Sequence, residues 1–231
     1  MSNVEEYWKI LDGAQQFLRG KDRVVSEISA EDVVLEALQK ELTISEMDME
    51  QLSEAIKSCT KCALHAGRKN PVPGKGVLNP KVMIIGEAPG AQEDEQGLPF
   101  VGKSGEYLDR WMSAIHLTRE DDLFIGNIMK CRPPGNRDPF PEEQRICIPY
   151  LVRQLELIKP QSILCLGRVS SQILLKTEEG IGKLRGKIYS YENIPLVVTY
   201  HPSAVLRYPE KYRRPVWEDL KLLKSIFDPE A

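Results

Sequence analysis

No apolar run in this 231-residue chain approaches the ~18–20 residues that a membrane-spanning helix needs, so no membrane partner is expected. Basic charge is not in surplus either. The 31 Lys and Arg stand against 34 Asp and Glu, a formal net charge of −3, which removes the strongly cationic class of nucleic-acid proteins. Histidine occurs three times, so each histidine in a motif carries weight. Internal repeats and low-complexity segments are missing, which excludes solenoids and compositionally biased disordered chains. The opening residues, MSNVEEYWKI, are acidic and have no apolar centre, so a secretory signal is not expected. The expected location is intracellular: cytoplasmic and associated with the nucleoid. Cysteine is scarce and odd in number, at five. Without export, such cysteines read as metal ligands, catalytic groups or buried apolar residues rather than as disulfides.

What is present is ordinary for a globular chain: 42% hydrophobic and 28% charged residues, enough for a real core without covalent staples. The charge is unevenly placed. Residues 1–50 hold 12 acidic and 5 basic residues, and the remainder 22 and 26. The first fifty residues therefore read as an acidic helical extension and residues 51–231 as the main domain, mildly basic and compatible with a local DNA-binding face. Helical spacing of apolar residues covers 4–18 and 31–42. A third helix begins near Ser45, with Asp48 three residues on, and runs into Cys59.

From residue 81 the pattern changes to short continuous runs of Ile, Val and Leu at 82–85, 123–125, 162–166 and 196–199. Continuity without alternation suits strands buried on both faces of a parallel sheet. Helical patterns at 104–116, 141–158, 168–176 and 215–227 separate and follow them, which predicts an α/β three-layer sandwich. Sites in such sheets lie at the carboxyl ends of the strands. After the first strand comes GEAPGAQEDEQGLPFVGKSG, glycine-rich but neither a Walker loop nor a G-x-G-x-x-G fingerprint. After the second comes GNIMKCRPPGNRD, and after the fourth YHPSAVLR. The strand ends thus offer a carboxylate (Glu87), an amide (Asn127) and an imidazole (His201). The cysteines form a C-x2-C-x68-C-x15-C array through Cys59, Cys62, Cys131 and Cys147. Such an array fits either tetrahedral zinc, slightly favoured by spacing alone, or a [4Fe–4S] cluster. Cys165, inside ILCLG, reads as a buried small hydrophobe.

The three strand-end segments, in this order, resemble the family-4 uracil-DNA glycosylases, the iron–sulfur branch of that superfamily, over about residues 52–227. The resemblance implies a four-stranded parallel sheet sandwiched by helices, and hydrolysis of the N-glycosidic bond of deoxyuridine in DNA during base excision repair. It tips the metal choice to [4Fe–4S], with Cys59, Cys62, Cys131 and Cys147 at the family's cluster positions. Phe100 matches the stacking residue of the uracil pocket. Asn127 suits O4 and N3–H of uracil together. Ala88 stands where other branches carry a water-positioning Asp. His201 matches the histidine that stabilises charge on O2 of the departing base. That leaves Glu87 to orient water, with Glu93 and Asp94 as further carboxylates in the same loop. HPSAVLR resembles the minor-groove loop, with Val205 and Leu206 as an apolar wedge and Ser203, Arg207 and Lys103 on DNA. Lys211, Arg213 and Arg214 add charge beside it, and Arg132 and Arg137 are weaker phosphate candidates. His65 and His116 read as structural or surface groups.

The expected partner is uracil-containing DNA, single- or double-stranded, bound by a monomer, with downstream repair enzymes as potential partners. Two other readings stand beside this one. A related branch traps its sugar intermediate on a histidine in an Arg-rich insert, but RPPGNRDP contains none. A non-catalytic DNA-binding module stabilised by iron–sulfur or zinc is the other; it would not need Glu87, Phe100, Asn127 and His201 together.

Overall fold

A computed structural model describes residues 43–228, all within one compact unit that begins at Thr43. The helices expected over 4–18 and 31–42 lie outside the described residues. The sheet has six strands: β1 (Lys75–Gly76), β2 (Val82–Gly86), β3 (Leu123–Asn127), β4 (Ser162–Leu166), β5 (Ile188–Tyr191) and β6 (Ile194–Thr199). Their spatial order is β1-β3-β2-β4-β6-β5. The four central strands are parallel, as their buried apolar runs require, and β2, β3 and β4 are buried at every residue.

Six strands rather than four is a correction to the sequence reading, and the two extra strands show why they escaped it. β1 is two residues of a glycine- and proline-rich segment, paired antiparallel to β3. Gly76 is required there, because a Cβ would lie 2.2 Å from the Leu123 carbonyl oxygen. β5 pairs antiparallel with β6, with Tyr191 opposite Ile194. The two residues between them, Glu192 and Asn193, both have positive φ, the mark of a tight type I′ hairpin. At the sheet edge β5 alternates exposed and half-buried positions, so it has no continuous apolar run.

Helices cover both faces. They are α1 (Met49–Lys57), α2 (Ala91–Gln96), α3 (Lys103–Ala114), α4 (Pro141–Ile158), α5 (Arg168–Leu175), α6 (Ile181–Leu184), α7 (Pro202–Arg207) and α8 (Pro209–Phe227). Alternate strand residues divide between two cores. Met83, Ile85, Ile163, Cys165 and Val198 face Leu52 and Ile56 of α1, Leu151 and Leu155 of α4 and Leu174 of α5. Val82, Ile84, Leu164, Leu166 and Val197 face Leu108 and Met112 of α3 and Leu220 and Leu223 of α8. Each fully buried side chain of this size contributes roughly 1.5–3 kcal/mol. None of the described helices is long and apolar enough to cross a membrane.

Helix boundaries differ from the sequence reading at three points. The cap of α1 is Asp48 rather than Ser45. Its Oδ1 accepts from the Gln51 N–H at 2.9 Å, and Gln51 Oε1 accepts from the Asp48 N–H at 3.0 Å, a complete capping box. α8 begins at Pro209, six residues before the expected start, with Pro at its first turn and Pro215 inside it. The segment after Thr199, expected as a loop, is the short helix α7 with His201 as its N-cap.

One buried ionic network fixes the end of β6. Asp219 of α8 is fully buried. It accepts from Thr199 Oγ1 (2.7 Å), Arg185 Nε (3.0 Å) and Nη2 (2.9 Å), and the Gly186 N–H (3.1 Å). Asp219→Ala would leave Arg185 and Thr199 without their acceptor. Unfolding free energy from guanidinium denaturation should fall by about 3–5 kcal/mol. A loss below about 1 kcal/mol, as for surface pairs, would remove the network from the determinants of stability.

Candidate active site at the carboxyl end of the sheet

The four parallel strand ends open into one cleft of about 460 Å³ lined by residues from every strand-end segment. The register places Gly86 of β2 beside Asn127 of β3. A Cβ on Gly86 would lie 2.3 Å from Asn127 Oδ1 and 2.8 Å from Phe100 Cζ. The glycine therefore admits an amide and an aromatic ring into one space. Asn127 is 1% exposed, and its Oδ1 is a buried side-chain atom with no hydrogen-bond partner. Buried acceptors are satisfied in nearly all native proteins; this one belongs to a residue that lines the cleft.

Phe100 forms the adjacent wall. It is 6% exposed, has a positive φ of 51°, and lies 5.7 Å from the His201 ring, centroid to centroid. Its loop is pinned by Glu93, whose carboxylate accepts from the N–H groups of Gly90 (3.1 Å), Val101 (2.9 Å) and Gly102 (3.2 Å). Asp94 is buried and accepts from Lys69 and Asn70 backbone N–H groups. Both carboxylates thus hold the loop backbone; Glu93 also lines the cleft, and Asp94 does not. Glu87 lines the cleft with Ala88. Its pKa is raised, first by burial and then by Asp138, with Arg168 opposing.

His201 has a defined tautomer. Its Nδ1 accepts the Ser203 backbone N–H at 3.2 Å and lies 2.8 Å from Ser203 Oγ. An N–H aimed at Nδ1 requires a lone pair there, so the proton of the neutral ring sits on Nε2. Burial lowers the pKa to about 4, with Glu93 opposing. Ser203, expected on DNA, serves here to orient the imidazole.

The wedge expectation divides. Val205 is fully buried in the core against α3 and α8, so it cannot enter DNA; the sequence pairing of Val205 with Leu206 is corrected. Leu206 is 46% exposed, and Arg207 is exposed and lines the cleft. On a one-and-a-half-turn helix, neighbouring residues point to different sides. Lys103 is exposed at the start of α3 but does not line the cleft. Arg137 does line it, held by a double hydrogen bond to Glu143 (2.8 and 2.7 Å) and stacked 3.8 Å over Phe140. Arg168, the first residue of α5 just after β4, a strand end with no functional group expected from the sequence, lines the cleft and pairs with Asp138. Its only sequence signal was a Gly-Arg step at a strand end.

A second, narrow cavity is lined by Cys59, Cys62, Cys131 and Cys147 together with Arg68, Lys130 and Tyr150. All are free thiols. Arg68 Nη1 donates to Cys131 Sγ (2.9 Å) and the Lys130 N–H to Cys147 Sγ (3.3 Å). Burial raises the pKa of Cys131, and that of Cys147 to about 11. The thiols ring the cavity: among the described residues no group of three or more His, Cys, Asp and Glu is arranged to hold a metal ion. Cys165 is buried in β4, away from this cavity. Lys130, which the sequence reading passed over inside NIMKC, is buried between the two sites. Its Nζ donates to the Asn127 carbonyl (2.8 Å) and Gln154 Oε1 (2.6 Å).

Comparison with known proteins gives a consistent result. The family model described as "Uracil DNA glycosylase superfamily" matches residues 73–221. A type-4 uracil-DNA glycosylase of Pyrobaculum aerophilum is 47% identical over 171 residues, covering 71% of this chain and 87% of the relative. Another, of Saccharolobus solfataricus, is 43% identical over 186 residues, covering 77% and 86%. A third, of Thermotoga maritima, is 40% identical over 186 residues, covering 79% and 96%.

The imidazole geometry makes a direct prediction. The unfolded chain protonates His201 near pH 6.5, the folded chain only near pH 4. This contribution to stability is complete above about pH 6.5 and is lost as pH falls toward 4. Nitrogen NMR of the labelled protein should show His201 neutral, with its proton on Nε2, down to about pH 5. An ordinary titration near 6.5, or a proton on Nδ1, would contradict the assignment.

Proposed function

The chain belongs to the uracil DNA glycosylase superfamily, and from the site it builds we propose that it excises uracil from DNA as a monofunctional N-glycosyl hydrolase. Water replaces the base at C1′, giving free uracil and an abasic site, the opening step of base excision repair. The carrying observation is the orphaned Asn127 Oδ1 in the cleft. A uracil flipped out of the stack presents N3–H to that oxygen and O4 to the amide N–H. Cytosine reverses donor and acceptor and would leave both amide atoms opposed by like groups, a penalty that enforces selectivity. Phe100 supplies the stacking face.

As the C1′–N1 bond breaks, its electron pair leaves with the base and negative charge spreads onto O2. The His201 Nε2–H donates to O2, and the neutral ring need not lose its proton to do so. Such a donor acts mainly on the transition state. Glu87 orients the attacking water, offsets charge on the oxocarbenium-like sugar, and takes the proton the water loses. Its raised pKa makes it a stronger base than an exposed carboxylate. Outside the pocket, Leu206 is the wedge that fills the gap in the stack, and Arg207 and Lys103 meet phosphates. A non-catalytic DNA-binding module would leave the unpaired amide oxygen and the half-buried neutral imidazole without a task.

Cys59, Cys62, Cys131 and Cys147 are the ligands proposed for a [4Fe–4S] cluster. Four free thiols around one cavity, with N–H donors aimed at two of the sulfurs, support that reading. A cluster held by these four cysteines would crosslink the segment after α1, the loop after β3 and α4.

The excision test uses an oligonucleotide with one uracil, opposite G, opposite A and unpaired. The full chain should release uracil, and His201→Ala should slow the single-turnover rate about 10²–10³-fold with little change in affinity for uncleavable uracil DNA. If this variant binds DNA more weakly yet cleaves at the normal saturated rate, His201 positions DNA and the leaving-group role fails.

The cofactor has its own test. Protein purified anaerobically should be brown and hold about four irons per chain. Cys131→Ser should lower the iron content and Cys165→Ser should not. A colourless, fully active protein carrying one zinc would defeat the cluster assignment.

A further inference from the structure

The aromatic wall of the pocket is held in a conformation that a bulky residue rarely adopts. Phe100 has a φ of 51°, in the left-handed region where a non-glycine side chain persists only when its surroundings fix it. Gly105, at the start of α3, makes room for it: a Cβ there would lie 1.8 Å from the Phe100 carbonyl oxygen. What holds it is a guanidinium that no sequence motif indicated. Arg119 Nη2 donates to the Phe100 carbonyl at 2.7 Å and reaches the Gly105 carbonyl at 3.5 Å, and Nη1 donates to the Pro99 carbonyl at 3.2 Å. Asp109 of α3 accepts from Arg119 Nε and orients the fork.

The ring itself has little slack. Its edge lies so near Gly86 that a single added Cβ there would stand 2.8 Å from Cζ, and the His201 ring sits on another side. A rotation of the Phe100 peptide would therefore change the plane that uracil meets, not merely the loop.

We propose that Arg119 is a positioning residue for base recognition: its guanidinium fixes the Pro99–Phe100 peptide and through it the ring plane on which uracil stacks. This rests on the reading of Phe100 as the stacking residue. A planar fork with several donors can satisfy adjacent carbonyls at once; a lysine ammonium, though equally charged, has no such fixed geometry.

The test is a double-mutant cycle on the full-length chain with Phe100→Ala and Arg119→Lys. Single-turnover excision, inhibition by free uracil, affinity for abasic DNA and thermal midpoint are measured for each variant. Arg119→Lys should slow excision about tenfold to a hundredfold, as a small misplacement of a site group does, and weaken free-uracil inhibition in parallel. Affinity for abasic DNA, which has no base to stack, should stay within about twofold of the parent; a variant that merely loosened the fold would lose both. In the Phe100→Ala background Arg119→Lys should add nothing further. Asp109→Asn, which keeps the guanidinium but loosens its orientation, should give a weaker form of the same pattern and serves if Arg119 variants fold poorly. If Phe100→Ala excises uracil and is inhibited by it normally, the stacking reading fails and the proposal with it. If Phe100→Ala is impaired but Arg119→Lys is normal, or the two losses multiply independently, the stacking reading stands and the clamp is refuted.

Discussion

The site depends on an atom that is missing: the Cβ of Gly86. The β2–β3 register brings this residue beside Asn127, and the vacant volume lets the amide and the Phe100 ring share the floor of the cleft. A methyl group there would have to displace Asn127 or Phe100, and both are anchored. Asn127 is the last residue of a buried strand, with its carbonyl held by the Lys130 ammonium. Phe100 is held by its carbonyl between Gly105 and Arg119. The amide proposed to select the base is thus set by sheet geometry rather than by a mobile loop, as a group that must discriminate on hydrogen-bond polarity requires.

Charge in the cleft follows from the same rigidity. Three N–H groups on Glu93 hold the glycine-rich loop shut around one carboxylate, so of the two loop carboxylates that line the cleft Glu93 is engaged with backbone. The imidazole opposite is neutral because burial disfavours its charged form, and its outward nitrogen carries hydrogen because the inward one is taken by α7 itself. The helix cap and the donor orientation are one feature: placing His201 at the N-cap satisfies a backbone N–H and also selects the tautomer. A histidine at the same point in an extended loop would have no such constraint.

Legibility of the sequence tracked burial. The four central strands could be read because both faces of each are covered, which demands unbroken apolar runs. β5 could not, since an edge strand with alternating exposure resembles a loop in composition. The strand-end residues Glu87, Asn127 and His201 were readable as polar residues directly after such runs, and they do meet in one cleft. Val205 and Leu206 were not separable, because a short apolar pair gives no helical phase; only the turn of α7 decides that one enters the core and the other faces solvent. Arg119 carried no local signal. Its carbonyl partners lie up to twenty residues earlier, and long-range side-chain-to-backbone bonds leave no periodicity behind.

The two cavities are joined through five consecutive residues. Asn127 ends β3 in the first, Cys131 lines the second, and Lys130 between them is buried with its ammonium on the Asn127 carbonyl and its N–H on Cys147 Sγ. A buried ammonium without acceptors would be strongly unfavourable. Gln154 of α4 provides one, and is itself tied back to the Pro73 carbonyl. The short link from amide to cysteine therefore cannot be lengthened or rotated without stranding that charge. A crosslink between the cysteines would restrain Cys131 and Cys147, and through Lys130 the strand end proposed to read the base, a physical route from the second cavity to the first without any electron having to move.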